Sequence, residues 1–160
     1  MPQQGEAFSR VKIDKQLQDE GWRVDDGKSV LFEHGLSDGT KADYLLCSRQ
    51  GRGLAVVEAK KASANLISEA ENQALHYAKL LKVPFIFLAN GEEVWFWEYE
   101  REAHPHKVSS FFSQDDLERR EASHKLRKDP LTVPIDKRIV ERGYQHECID
   151  TLCQEINSGR

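Results

Sequence analysis

Apolar residues recur along this chain with two periods, and the changes between them mark the elements. Over residues 6–20, Ile13 and Leu17 fall at helical spacing with Gly21 as a stop, so a helix is predicted there. Trp22-Arg23-Val24 reads as extended, ahead of an Asp25-Asp26-Gly27 turn. Val30 to Glu33 reads as a strand and Gly35 to Gly39 as a loop. Residues 41–47 and 53–59 are two apolar runs separated by Ser48-Arg49-Gln50-Gly51-Arg52, the pattern of a hairpin. Over 65–82 the period becomes helical again. Leu66, Ile67, Ala70, Ala74, Tyr77, Ala78 and Leu81 make one face, with Gln73 set among them, and Glu69, Asn72, His76 and Lys79 make the other. Pro84 ends that helix. Phe85-Ile86-Phe87-Leu88-Ala89 is continuously apolar, as expected of a strand covered on both faces. Asn90-Gly91 turns the chain, and Val94 to Tyr99 returns as a strand.

The order is helix, three strands, helix, two strands. A helical crossover between the third and fourth strands lets them run parallel, which predicts an α/β core with a mixed central β-sheet flanked by helices. Beyond Tyr99 the pattern weakens. His104-Pro105-His106 reads as a loop and residues 114–128 as a highly charged helix. Asp129-Pro130 and Val133-Pro134 break the chain, and a last helix from Gln145 carries a Cys148, Leu152, Ile156 stripe with Ile149 beside it.

Composition narrows the classes. The 160 residues are 39% hydrophobic and 31% charged, ordinary for a globular protein with a real core. The net charge of -4 is not that of a protein that wraps nucleic acid nonspecifically, so any DNA affinity must come from a local patch or from other chains. Cys47, Cys148 and Cys153 lack zinc spacing, and an odd count without a targeting segment points to reduced thiols in a cytoplasmic protein. No apolar run approaches the ~20 residues of a membrane span.

The chemistry gathers where the runs end on charges. Asp43 stands in the first run of the hairpin; Glu58, Ala59 and Lys60 close the second. Magnesium takes oxygen ligands, often one or two carboxylates completed by water and substrate. If the runs pair, Asp43 and Glu58 converge at one sheet end, and the Ala59 carbonyl is a third oxygen. Lys60, two residues past Glu58, points to the same side of an extended chain and can orient an attacking water. The plainer alternative is an Asp43–Lys60 salt bridge at a sheet edge with Glu58 solvated. Gln73 and Tyr77, at i and i+4, project together towards the same sheet, and an amide on an apolar face wants a specific partner. Glu6 and Arg10 share the face of the first helix with Ile13 and Leu17. They form either a solvated pair at the helix rim or a pair aimed at a metal or phosphate.

Ala42-Asp43, Val56-Val57-Glu58-Ala59-Lys60 and Gln73-Ala74-Leu75-His76-Tyr77 together resemble the PD-(D/E)xK nuclease core with the QxxxY motif of its RecB-like branch. Ala42 stands where that motif often has Pro. The flanking words, Ala42-Asp43-Tyr44-Leu45-Leu46, Val57-Glu58-Ala59-Lys60-Lys61 and Pro84 to Gly91, resemble more closely the N-terminal nuclease domain of the restriction (R, motor) subunit of type I restriction enzymes. The Ile13-Asp14…Leu17…Gly21-Trp22 opening is similar to that domain's first helix, and Arg142-Gly143-Tyr144-Gln145 to the entry of its motor.

The resemblance implies a restriction-endonuclease-like fold, with residues 1–128 as nuclease domain, 129–140 as linker and 141–160 as the truncated start of a helicase motor. It implies a deoxyribonuclease acting on double-stranded DNA. Asp43 and Glu58 hold Mg2+, with Mn2+ as a substitute, Lys60 assists catalysis, and Gln73 and Tyr77 support the site. Gln145 would contact the adenine of ATP in the full-length subunit alone. Methyltransferase and specificity subunits are the implied partners. Two other classes stay open: a non-catalytic nuclease fold that docks on a motor or DNA, and a stand-alone repair nuclease, which the apolar stripe of the tail disfavours.

Overall fold

The computed structural model describes residues 4–63, 65–126, 134, 139 and 142–158; the side chains of Gln4, Glu6, Leu126 and Asn157 fall outside that description. The chain divides into two units, Met1–Glu121 and Ala122–Arg160. The first holds α1 (Gln4–Asp19), β1 (Val30–Gly35), β2 (Lys41–Cys47), β3 (Gly53–Ala59), α2 (Leu66–Leu81), β4 (Phe85–Ala89), β5 (Val94–Trp97) and β6 (His106–Val108), and α3 (Gln114–Leu126) runs across the division. The six strands form one sheet in sequence order, antiparallel throughout except for the parallel pair β3–β4. That one parallel pair requires the crossover that α2 provides. This is the mixed α/β sheet predicted above, and β2, β3 and β4 keep their predicted bounds.

Strand alternation sorts the core onto two faces. Tyr44, Leu46, Ala55, Val57, Phe85 and Phe87 join Ile13, Leu17, Phe111 and Leu117 from α1, α3 and the segment before α3. Leu45, Cys47, Val56, Ile86 and Leu88 meet Leu66, Ala70, Ala74, Tyr77 and Ala78 of α2. β4 therefore has all five residues buried, the physical reason it reads as an uninterrupted apolar run. Phe87 lies at the centre of an aromatic group, with ring centroids 5.0 Å from Phe96, 5.1 Å from Phe111 and 5.8 Å from Phe112.

After α1 the Trp22 amide donates to the Leu17 carbonyl at 3.0 Å, and its indole donates to the Phe112 carbonyl at 2.9 Å. Two local expectations are corrected. The strand expected to reach Tyr99 stops at Trp97, because the Glu98 carbonyl turns back to accept from the amides of Arg101 (2.8 Å) and Glu102 (2.9 Å). His106 opens a short edge strand rather than lying in a loop; β6 pairs Val108 with Val94. Three residues with two exposed polar side chains leave no alternation to detect. The Asn90-Gly91 turn is as expected: Gly91 has φ +82°, and the Asn90 side-chain oxygen accepts from the amides of Glu92 (3.0 Å) and Glu93 (2.8 Å).

In the second unit α4 (Gly143–Asn157) begins two residues ahead of the predicted start. The Arg142 amide donates to the Gln145 side-chain oxygen at 3.2 Å, so Gln145 closes the first turn. Leu152 and Ile156 of the apolar stripe are exposed. Of the predicted linker 129–140, only residues 134 and 139 lie among those described.

Two outcomes test this packing. Phe87→Ala removes the centre of the aromatic group and is expected to cost about 3–5 kcal/mol in urea denaturation. Asp38, between β1 and β2, is held down to about 2 by hydrogen bonds from Thr40 and His76, the latter on α2 at 2.7 Å. Its folded value lies below the ordinary 3.8, so its contribution is complete above 3.8 and is lost as pH falls through 2. Thermal melts of Asp38→Asn should therefore lie below the parent at neutral pH, and the gap should close as pH falls through that window.

Candidate active site

The β2–β3 register decides which charges meet. Tyr44 pairs with Val57, so one step along, Asp43 stands opposite Glu58 at the same end of the sheet. The Asp43 carboxylate accepts the Ala59 amide at 2.8 Å, a bond from side chain to backbone across the two strands. Parity places Glu58 on the side of Val56, facing α2. It is 2% exposed, a cost in an apolar setting unless a counter-charge is near. The Lys60 ammonium supplies one, 2.8 Å from Glu58 Oε1. The Lys60 amide in turn donates to the Ala89 carbonyl at 2.9 Å, extending the parallel ladder past the end of β3 and fixing the backbone from which the ammonium hangs.

From Lys60 a line of polar groups leads into α2. Its ammonium donates to Gln73 Oε1 at 3.0 Å, and the Gln73 amide donates to the Tyr77 hydroxyl at 2.8 Å. Asn65 starts α2 by accepting the Ser68 amide at 3.4 Å, which sets the phase that turns both residues to the sheet. Gln73 is exposed, not the buried amide its place in the apolar pattern suggests. It lies at the margin of the face, where a polar side chain bridges the buried Tyr77 and Lys60.

A second line comes from α1. The Arg10 guanidinium pairs with Asp43 and also lies 3.5 Å from Glu33. Tyr44 donates its hydroxyl to Asp14 at 2.9 Å, one turn further along α1. Burial pushes the Tyr44 phenol well above its ordinary range, with the Asp14 charge adding to it, so it serves here as a donor. Burial also raises the Asp14 carboxyl, opposed by the Tyr44 hydroxyl and Arg10.

The structure thus brings Asp43, Glu58, Ala59, Lys60, Gln73, Tyr77 and Arg10 to one sheet end. The plain alternative required a solvated Glu58, whereas Glu58 is buried with the Lys60 ammonium beside it. Glu6 lies in α1, but its side chain is outside the described residues. Gln145 belongs to the second unit. Glu33 and Asp14 were not singled out from the sequence. The i, i+4 spacing of Arg10 and Asp14 was the signal available for the latter.

Among the described residues no group of three or more His, Cys, Asp and Glu is arranged to hold a metal. Two carboxylates at one sheet end with a backbone carbonyl between Glu58 and Lys60 are instead the incomplete oxygen set that magnesium accepts. They lack the soft or imidazole donors of a zinc centre.

Comparison with known proteins bears on whose site this is. The family model described as the type I restriction enzyme R protein N terminus matches residues 28–110, more than half of the chain. The chain belongs to this family. The match covers β1 to β6 and α2, and with them Asp43, Glu58, Lys60, Gln73 and Tyr77. A type I restriction enzyme EcoAI endonuclease subunit from Escherichia coli is 45% identical over 72 residues, 44% of this chain and 9% of that subunit. A fragment structure described as that of an HsdR subunit of a type I restriction enzyme from Vibrio vulnificus YJ016 superposes with a TM-score of 0.66 at 26% identity. It covers 82% of this chain and 28% of that one. The type IIG restriction endonuclease BpuSI follows with a TM-score of 0.46 at 20% identity, over 76% of this chain and 16% of its own. The chain thus spans less than a third of the length of each relative. Its sheet and flanking helices are the restriction-endonuclease-like core of the family.

The Lys60 bridge has a measurable consequence. Lys60→Met removes the ammonium beside the buried Glu58 and is expected to cost about 2 kcal/mol in urea denaturation, less than the ~3–5 of a fully enclosed pair. Gln73→Ala, at an exposed position, should cost under ~1 kcal/mol.

Proposed function

We propose that this domain is the magnesium-dependent DNA-cutting module of a type I restriction enzyme. The observation that carries the reading is the convergence of Asp43, Glu58 and Lys60 at one sheet end, with Lys60 bridged to Tyr77 through Gln73. Asp43, Glu58 and the Ala59 carbonyl would hold Mg2+, or Mn2+ in its place, and the bound ion would offset charge on the scissile phosphate. Asp43 is oriented for this by the Ala59 amide.

Lys60 presents a fixed ammonium beside that position. It can hold the attacking water by hydrogen bond and add a positive charge where negative charge develops. Gln73 takes one face of the ammonium, and Tyr77 fixes the amide of Gln73, so the charge is placed before substrate arrives. Glu58 keeps the ammonium on the site rather than in solvent.

The relatives are described as subunits of type I restriction enzymes, which fits a chain whose own charge, -4, is weakly suited to DNA. Double-stranded DNA as substrate, an ATP-driven motor in the full-length subunit with Gln145 at its nucleotide, and methyltransferase and specificity subunits as partners belong to this reading. So does a cytoplasmic location. Among the described residues no helix is long and apolar enough to cross a membrane.

Asp43→Ala, Glu58→Ala and Lys60→Ala should each abolish DNA cleavage by the assembled enzyme and leave its ATP hydrolysis intact. Parent-like cutting by Glu58→Ala would refute the assignment. Calorimetric Mn2+ binding lost in Asp43→Ala and Glu58→Ala separates a cutting module from a nuclease fold that only docks.

A further inference from the structure

The Arg10 guanidinium lies between two carboxylates of unequal setting. Asp43 has a 14% exposed side chain at the sheet end, while Glu33, on the neighbouring strand, is 59% exposed. The β1–β2 register pairs Phe32 with Tyr44 and His34 with Ala42, so Glu33 stands directly across from Asp43. Glu33 also has φ +43°, a left-handed backbone that a side chain with a Cβ seldom adopts inside a strand. Such strain persists where surrounding contacts over-determine it, and it is enriched at functional positions. Glu33 meets Arg10 at 3.5 Å through one carboxylate oxygen and Lys41 at 3.6 Å through the other. Arg10 is anchored from behind, since α1 is held to the sheet by the buried Ile13 and Leu17 and by Tyr44 bonding Asp14.

A divalent cation on Asp43 and an arginine on the same carboxylate repel each other, and at contact distances that repulsion is large in a partly buried site. Pairing of the guanidinium with Asp43 therefore competes with seating of the cation. The guanidinium has somewhere to go, because Glu33 lies within a side-chain rotation and already touches it.

We propose that Arg10 is an internal stand-in for the catalytic cation on Asp43, and that Glu33 is the positioning residue that receives Arg10 when the cation binds. The inference rests on the metal-site reading above and adds its regulation. Without a cation Arg10 neutralises Asp43 and keeps the sheet end ordered. With one, Arg10 moves onto Glu33, and the site stores its counter-charge one strand away. The apparent cation affinity is lowered by the fraction of molecules in which Arg10 holds Asp43.

The test is Mn2+ titration calorimetry on the full 160-residue chain, with no DNA present. Arg10→Gln is expected to tighten Mn2+ binding about tenfold, as for a holding fraction of about nine in ten. Arg10→Lys, which keeps the charge, should restore weaker binding. Glu33→Gln should weaken binding by up to about fivefold, the range of one exposed ion pair, because the receiving carboxylate is gone. The two must couple: in the Arg10→Gln background, Glu33→Gln should change nothing. Equal effects of Glu33→Gln in both backgrounds would mean general electrostatics and overturn the proposal. So would weaker or unchanged binding in Arg10→Gln. Glu33→Gln is a surface change, so unchanged affinity in that variant alone is enough to overturn it should Arg10→Gln not fold. If no variant, the parent included, binds Mn2+ in an Asp43-dependent way, the metal-site reading itself fails, an outcome distinct from loss of the coupling alone.

Discussion

Everything at the working end of this domain depends on one constraint: a carboxylate is kept inside the protein at the end of a strand. Glu58 follows four buried apolar residues on β3 and is itself enclosed. A charge so placed needs an opposite charge, and Lys60 answers it from the next position on the same side. Once the ammonium is drawn inward it requires acceptors. Gln73 is in place because α2 must cross over the sheet to make β3 and β4 parallel. The crossover that solves a problem of topology thus also delivers the polar side chains of the site.

The two faces of the sheet contribute differently. The α2 face supplies the Lys60–Gln73–Tyr77 line, built on a helix fixed at its start by Asn65 and tied to the β1–β2 loop by His76 and Asp38. The opposite face supplies α1, whose Ile13 and Leu17 are wholly buried while Arg10 reaches past the sheet end to Asp43. Asp43 belongs to neither helix. It is held by the Ala59 backbone on one side and by Arg10 on the other, so the two strands and α1 share control of one carboxylate.

Family membership and geometry reinforce each other without being the same evidence. The family match begins after α1, at residue 28, so the contacts of Arg10 with Asp43 and of Asp14 with Tyr44 bring in residues from outside the matched stretch. The site residues of β2, β3 and α2 lie inside the matched stretch, and their convergence is independently visible in the strand register.

The sequence by itself determined the elements whose burial is periodic or complete. β2, β3, β4 and α2 are legible because residues between two packed layers, or on one side of a helix, have to be apolar at set intervals. It also determined which residue types could do chemistry, since Asp43, Glu58 and Lys60 interrupt apolar runs where charge is costly. It could not reveal β6, too short and polar to carry a period, or the end of β5 at Trp97, set by a turn around Glu98. Nor could it choose among partners. Whether Lys60 pairs with Asp43 or Glu58, whether Gln73 is enclosed or marginal, and whether Arg10 meets water or Asp43 depend on strand register and helix placement. Those are properties of the packed whole, because a side chain's charge is written in the residue, but its counter-charge comes from a segment tens of positions away, brought near only by folding.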